Sequence, residues 1–314
     1  MTSPRQATIS KADRRIWEID FLRGVLIIGM VIDHFMFFLG TFAGFYPEGS
    51  IPMWLQNVGS FSYAYWTNEF KLAIRYIGVM LFFFLTGISS KFSKSNLKRS
   101  LICTGFGVLL ALVYMAYTLI SGNDHFALFG VITCLGVSMF LYWAGKSIYT
   151  KVKKEETNWK WWSLGVGVVL SLTGFIVNLC ISTQLRFGHI FLSMFGEYNP
   201  GQPNSLEPLT FGRAILTIIG FYRWGHDWLG LLPYLGFTFI GGFVGEHVYS
   251  KRKTIFFRKD PVKNVEFNRN AIRRTWLVNW LGAKTFIIYI IHPAIIVILL
   301  LIVFSISAGT LPSL

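Results

Sequence analysis

The chain has 314 residues, of which 53% are hydrophobic and only 14% are charged. A soluble domain carries about 25% charged residues, so this composition excludes an ordinary soluble globular protein. The net charge of +14 is carried in clusters between apolar runs, where membrane topology requires basic residues, and so it does not indicate nucleic-acid binding.

Long apolar runs follow one another along the chain, separated by short polar, glycine-rich or lysine-rich segments. A membrane-spanning helix needs roughly 20 predominantly apolar residues. By that rule the sequence predicts an all-α, polytopic membrane protein of about seven transmembrane helices. The predicted spans cover residues 21–44, 73–92, 101–121, 126–148, 162–183, 228–249 and 284–307. The first run ends without a small-residue cleavage site, so we expect it to be retained as a span.

Basic clusters orient these predicted spans, because lysine and arginine accumulate in cytosolic loops. The clusters within residues 1–20, 91–99, 146–160 and 251–274 fall on one side of the membrane if the N-terminus is cytosolic. The short apolar stretch at 209–222 cannot then be a further crossing. We predict that it forms a re-entrant or interfacial helix on the outer side.

We therefore predict one membrane domain rather than several soluble ones. It covers residues 21–307, follows a cytosolic segment at 1–20, contains a basic cytosolic loop at 250–279 and precedes a tail at 308–314. The expected location is a bacterial cytoplasmic membrane, with the chain crossing the bilayer several times. Cys103, Cys134 and Cys180 show neither a CxxC pattern nor metal-ligand spacing, so we predict packing residues and no metal site.

Four ionisable residues enter or border the first predicted span: Asp20, Arg23, Asp33 and His34. Charge inside a membrane is costly, so each is a candidate for a functional site. On a helix, Arg23 and His34 share one face about 16 Å apart, Asp20 lies on the same stripe, and Asp33 points about 100° away from His34. A neutral histidine suits a general base, and arginine suits phosphate recognition. The structural alternative is an interfacial Asp20–Arg23 pair and a histidine bonded to a neighbouring helix.

Two further histidines are candidates for the site. In the last predicted span, Tyr289 and His292 share a face and precede Pro293, which frees a backbone carbonyl one turn earlier. A packed kink with a satisfied histidine is the alternative there. His226 and Asp227 stand together at the start of the sixth predicted span and could orient a substrate or a base.

Basic residues that follow the second predicted span are candidates for binding a nucleotide phosphate at the cytosolic mouth. These residues are Lys91, Lys94, Lys98 and Arg99. The positive-inside rule accounts for them equally well, so a phosphate-binding role and a purely topological one both stay open.

Four segments together carry a family resemblance. They read RRIWEIDFLRGVLIIGMVIDHF, RYIGVMLFFFLTGISSKFS, HDWLGLLPYLGFTFIGGFVG and WLGAKTFIIYIIHP. The chain resembles the DUF1624 group of membrane proteins, which is related to heparan-alpha-glucosaminide N-acetyltransferase. It is also similar to the wider transmembrane acyltransferase superfamily, whose first helix carries Arg or Lys, ten residues, and then His. Here those positions are Arg23 and His34.

The resemblance implies transfer of an acyl group, usually acetyl, from cytosolic acetyl-CoA to a hydroxyl or amine of a glycan or glycolipid beyond the membrane. Arg23, Asp20, Lys91 and Arg99 would then form the binding site for CoA, with its phosphates near Arg23 and the basic loop after the second span, and His34 would act as the base. The family's sugar N-acetyltransferases also place a key histidine in the loop after the first helix, but residues 45–72 contain none. Direct transfer and an acyl-histidine intermediate both stay open, as does completion of the site by a second subunit in a dimer.

A transporter or permease is the competing function, with His34, His292 and Arg23 lining a solute or proton pathway. Transporters commonly contain inverted repeats with broken helices in matching halves. No such symmetry is visible in the sequence, which favours the acyltransferase.

Overall fold

The computed structural model describes residues 15–47, 49–121, 129–154, 158–202, 209–225, 228–251, 253–257 and 259–309. Helices dominate these ranges. They are α1 (Trp17–Gly44), α2 (Met53–Thr67), α3 (Glu69–Ser90), α4 (Asn96–Ser121), α5 (Val131–Lys153), α6 (Trp159–Ile181), α7 (Ile190–Met194), α8 (Phe211–Ile219), α9 (Tyr234–His247), α10 (Pro261–Arg274), α11 (Trp276–Ala283) and α12 (Thr285–Ala308). A 3₁₀ turn at Phe187–His189 precedes α7, and the two-residue strands β1 (Gly201–Gln202) and β2 (Arg223–Trp224) pair in parallel.

Six helices in the described ranges are long and apolar enough to cross a membrane, which confirms the predicted all-α, multi-pass membrane protein. They are α1, α3, the Asn96–Ala116 part of α4, α5, α6 and α12. The predicted span at 228–249 is shorter than expected, because α9 has 14 residues and begins only after Pro233. Fourteen residues extend about 21 Å, less than the roughly 30 Å hydrocarbon core. Proline cannot donate the backbone hydrogen bond of a helix interior, so the helix starts late.

Four helices lie in segments that the sequence predicted only as loops. They are α2, α7, α10 and α11, and none contains an apolar run of membrane-spanning length. The predicted short helix at 209–222 is present as α8, which begins at Phe211 and ends at Ile219. Its interfacial or re-entrant position stays a prediction.

The chain divides into two compact units, one formed by residues 1–75 and 251–314 and the other by residues 76–250. In the first unit, α1 packs against α2, α11 and α12. A Cβ at Gly24 would collide with the backbone carbonyl of Val278, and one at Gly282 would collide with the carbonyl of Asp20. Glycine at these two positions therefore allows α1 and α11 to approach backbone to backbone.

Aromatic and branched residues pack together at one end of the first unit. This cluster comprises Leu39, Phe42, Tyr46, Ile51, Leu55, Ile296, Leu300 and Phe304. It joins the end of α1 to the start of α2 and to the C-terminal half of α12, so the two spans are fixed against each other at this end.

In the second unit, α4 packs on α5, and α6 and α5 pack on α9. The small residues of FFFLTGISS and FTFIGGFVG lie at a close contact between α3 and α9. A Cβ at Gly87 would strike the carbonyl of Thr238, and one at Gly241 would strike the carbonyl of Phe84. These segments therefore serve helix packing.

Candidate active site

The histidines of the two terminal spans meet inside the first unit. His34 on α1 and His292 on α12 have ring centroids 4.9 Å apart, and their planes are nearly perpendicular at 82°. The stripe of α1 that carries His34 also carries the buried Gly24 and Ile27, and it faces α11 and α12. The contact between the two rings is therefore fixed by the packing of three helices.

Hydrogen bonds to the backbone determine which ring nitrogen remains available in each histidine. Nδ1 of His34 lies 2.9 Å from the carbonyl oxygen of Met30, and Nδ1 of His292 lies 3.0 Å from that of Ile288. A carbonyl oxygen can only accept, so Nδ1 donates in both rings. The neutral form of each ring then keeps its lone pair on Nε2, the nitrogen that can act as a base.

The surroundings of His292 contain a second unusual feature. Its Nε2 is buried and has no hydrogen-bond partner among the described residues. The ring of Tyr289 lies one turn earlier, with the two centroids 5.9 Å apart, and Pro293 follows within the same helix. A buried polar atom without a partner is costly, and such atoms occur at functional sites. The sequence also allowed a structural histidine with both ring nitrogens hydrogen-bonded. His292 does not fit that alternative, because its Nε2 has no partner among the described residues.

A buried ion pair lies on another face of α1. Asp33 and Lys71 are 9% and 6% exposed, and the lysine Nζ lies 2.5 Å from a carboxylate oxygen. The same Nζ stands 3.6 Å from the ring centroid of Trp66, a cation–π contact. The catalytic role predicted for Asp33 stays untested, while its described ion pair is with Lys71 rather than with the adjacent His34.

Lys71 was missed by sequence reasoning. The only signal was a lysine just before the second apolar run, which looks like an ordinary loop residue. Arg75 also lies over Trp66, at 5.0 Å from the ring centroid, and Tyr65 lies 5.2 Å from the Nζ of Lys71. Burial raises the pKa of Tyr65, with the Asp33 carboxylate adding to the rise, so the phenol stays protonated.

Asp20 and Arg23 lie on the same uninterrupted helix as His34. An Asp20 carboxylate oxygen is 4.0 Å from the guanidinium of Arg23, and the other oxygen is 3.5 Å from that of Arg15. Two arginines thus share one carboxylate at the start of α1. This arrangement leaves a net positive charge that suits an anionic group.

A family model described as heparan-alpha-glucosaminide N-acetyltransferase, catalytic, matches residues 15–294. The chain belongs to this family. The matched region contains both histidines of the contact described above, together with Asp33 and Lys71. Searches among curated proteins and among solved structures returned no match.

Membership of the heparan-alpha-glucosaminide N-acetyltransferase family, together with the six apolar helices, makes this chain an integral, multi-pass membrane protein of an acetyltransferase family. The resemblance inferred from its four sequence segments is thereby confirmed. The residues that carry out the reaction are not assigned by the family match.

The predicted phosphate ligands Lys91 and Arg99 belong to the second unit. Lys91 forms an ion pair with one carboxylate oxygen of Glu246, and Lys146 lies 2.7 Å from the other oxygen. Arg99 lies at the start of α4, where its guanidinium donates to the carbonyl of Ser89 at 3.4 Å. Both predicted ligands therefore already contact groups of their own unit, and their phosphate-binding role stays a prediction.

His226 and Asp227, the remaining predicted pair, lie outside the described residues. Within the described ranges, no group of three or more His, Cys, Asp or Glu residues has a metal-binding arrangement. Cys103 and Cys134 are buried, and each thiol donates to a backbone carbonyl, whereas Cys180 is exposed. The packing role predicted for the cysteines is therefore wrong for Cys180.

Proposed function

We propose that this protein transfers an acetyl group from cytosolic acetyl-CoA to a hydroxyl or amine of an extracytoplasmic glycan or glycolipid, with His34 as the general base. The observation that carries the proposal is the contact of two histidines, each donating through Nδ1 and each keeping Nε2 as the basic nitrogen. The family match supports the acetyl-transfer chemistry.

In the proposed reaction, Nε2 of His34 accepts the proton from the acceptor's O–H or N–H group. The acceptor atom forms a bond to the thioester carbonyl carbon, and the carbon–sulfur bond then breaks. The proton held on Nε2 passes to the departing CoA thiolate. The products are the acetylated acceptor and CoA with a free thiol, and His34 returns to its neutral form.

His292 acts as a second acceptor in this scheme. Protonation of His34 places a positive charge beside the His292 ring, whose buried Nε2 can accept a hydrogen bond. That interaction stabilises the imidazolium formed in the transition state more than the neutral ring of the ground state. An interaction of this kind raises kcat rather than affinity.

Arg23, held by its ion pair with Asp20, would bind the phosphate end of the donor. Arg23 lies eleven residues before His34 on α1, which corresponds to about 16 Å along the helix. An extended pantetheine arm could bridge that distance from phosphate to thioester. In this proposal the N-terminus is cytosolic, the enzyme resides in a bacterial cytoplasmic membrane, and the acceptor approaches the His34 end from outside.

The decisive experiment measures acetyl-CoA binding and CoA release by the purified full chain in detergent. We expect His34→Ala to bind acetyl-CoA normally but to release CoA at least about a hundredfold more slowly. We expect Arg23→Ala to weaken binding, since it removes a phosphate contact. The matched control is His247→Ala, whose ring stacks on Phe243 in the second unit and which should behave as the wild type.

Two results would contradict the proposal. Unchanged binding and turnover in both variants would remove His34 and Arg23 from the mechanism. Acetyl-CoA binding too weak to detect, together with proton or solute flux that depends on the two histidines, would favour the transporter. A panel of acceptor glycans bearing free amines or only hydroxyls then separates N-transfer from O-transfer.

A further inference from the structure

A basic, partly apolar surface lies on α10 and α11 of the first unit, outside the candidate active site. Between Lys253 and Arg274 the described residues include six lysines and arginines and only two acidic residues. One of the acidic residues, Asp260, caps α10 by accepting hydrogen bonds from two backbone amides. Lys263 lies 3.8 Å from the other carboxylate oxygen of Asp260, and the six basic residues against two acidic ones leave this surface with a net positive charge.

The inner face of α10 is fixed by two buried asparagines one turn apart. Asn264 donates to the carbonyls of Thr254 and Phe256. Asn268 accepts from the amide of Trp17 at 3.0 Å and donates to the carbonyl of Arg15 at 2.9 Å. The asparagine pair thus anchors α10 directly at the first residues of the span α1.

The other end of this segment is also tied to a span. Helix α11 ends at Ala283, and the membrane-spanning α12 begins at Thr285. The segment from α10 to α11 is therefore held at the ends of two spans. Such a position lies at the membrane surface, at the depth of the lipid headgroups.

The outer face of the segment mixes exposed apolar and basic side chains. Val262, Trp276 and Trp280 are 74%, 64% and 52% exposed. The exposed basic residues are Lys259, Lys263, Arg269, Arg273 and Arg274. Tryptophan prefers the membrane interface, and basic residues beside interfacial apolar groups attract anionic headgroups. A soluble acidic partner would explain the charge but not the exposed tryptophans.

We propose that the surface formed by α10 and α11 binds the headgroups of anionic phospholipids. The tryptophans and valines enter the interface, and the lysines and arginines contact the lipid phosphates. This inference does not depend on the reaction catalysed at His34.

The test uses the full chain in a non-ionic detergent and native mass spectrometry to count bound lipids. Phosphatidylglycerol and phosphatidylcholine with identical acyl chains are titrated separately. We expect a preference for phosphatidylglycerol of about tenfold or more, which the triple variant Lys263→Gln, Arg273→Gln, Arg274→Gln loses. The charge-preserving triple variant Lys263→Arg, Arg273→Lys, Arg274→Lys should retain the preference.

A matched control removes the same charge from the second unit through Lys151→Gln, Lys153→Gln and Lys154→Gln, and it should retain the preference. Because a variant can lose lipid through misfolding, the wild type is also titrated at about 0.5 M NaCl, where screening should displace phosphatidylglycerol.

Several outcomes would overturn the proposal. One is undiminished phosphatidylglycerol binding in the glutamine variant of α10 and α11, and another is an equal loss in the Lys151 control set. Equal binding of phosphatidylcholine, or indifference to salt, would remove the electrostatic basis. Displacement of the lipid by inorganic phosphate or acetyl-CoA would assign the surface to a soluble phosphate ligand instead.

Discussion

Each unit of the chain holds a carboxylate with lysine, and the first unit also brings two histidines into contact. In the second unit, both carboxylate oxygens of Glu246 are taken by lysines, Lys91 and Lys146. In the first unit, the ion pair of Asp33 and Lys71 accompanies two histidines whose Nε2 atoms are the basic nitrogens. A group whose bonding capacity is already used stabilises a fold, whereas a base needs an uncommitted lone pair. The difference supports the proposal that the reaction takes place in the first unit.

The largest expected effect is on turnover, from the variant His34→Asn. Asparagine can still donate to the carbonyl of Met30 but has no counterpart of Nε2. We expect acetyl transfer to fall by about 10²–10⁴-fold, the usual contribution of a general base, with little change in stability. His292→Asn should cost less, about tenfold, since it removes only an acceptor beside the base. The measurement is CoA release by purified protein, and a His34→Asn enzyme within tenfold of the wild type would contradict the assignment.

The next largest effect is the loss of unfolding free energy that we expect in the variant Lys71→Met. Methionine keeps the apolar stem of the lysine but leaves the carboxylate of Asp33 buried and uncompensated. Removing one partner of a buried ion pair costs about 3–5 kcal/mol of unfolding free energy. Unfolding in detergent, followed by circular dichroism, measures this loss.

The control for Lys71→Met is the double variant with Asp33→Asn, which removes the unpaired charge. We expect it to recover a large part of the lost stability. If the double variant is as unstable as the single one, the lysine acts mainly through its contact with Trp66 rather than through the ion pair.

A smaller loss of stability is expected in the second unit from Glu246→Gln. The variant leaves two lysines without their shared carboxylate, but both are partly exposed, at 33% and 28%, so water compensates for part of the loss. We expect about 2 kcal/mol of destabilisation and an unchanged kcat. If Lys91 binds a CoA phosphate as predicted, its release from Glu246 should also lower the KM for acetyl-CoA. A drop in kcat comparable to that of His34→Asn would contradict the expectation that Glu246 affects stability and not the reaction.

Much of the fold follows from the sequence, because each long apolar run needs the bilayer as its solvent. The helix that positions Asp20, Arg23 and His34 was predicted with its shared face, since helical periodicity alone determines that geometry. Helices α10 and α11 were missed, because short or polar helices carry no signal of span length. Their formation depends on tertiary contacts, such as the hydrogen bonds of Asn268 to the start of α1.

The site was only partly predictable for a similar reason. His34 and His292 were each identified by the cost of a polar group in an apolar helix. Their contact depends on the packing of α1 against α12, two helices from opposite ends of the chain. No local sequence pattern predicts the contact between these two histidines. Lys71 precedes its apolar run and gave no local sign that it would be buried against Asp33.

The smallest effects concern a feature that both units share, the glycines at helix contacts. Gly24→Ala would drive a Cβ into the backbone carbonyl of Val278, and Gly87→Ala would do the same at Thr238. We expect each to lower the unfolding free energy by about 1–2 kcal/mol, because backbone atoms cannot move aside cheaply. The matched controls are Gly29→Ala and Gly105→Ala, where the added methyl group meets nothing within 4 Å.

The controls should stabilise their helices by up to about 1 kcal/mol, since alanine loses less conformational freedom than glycine on folding. The kcat measured per folded molecule should differ between Gly24→Ala in the first unit and Gly87→Ala in the second. Gly24 lies on the stripe of α1 that faces α11 and α12, so a shift there should displace His34 from His292 and lower kcat. Gly87 supports the second unit, so its variant should lose stability at unchanged kcat. Equal losses of kcat in both variants would show that the reaction depends on the two units alike.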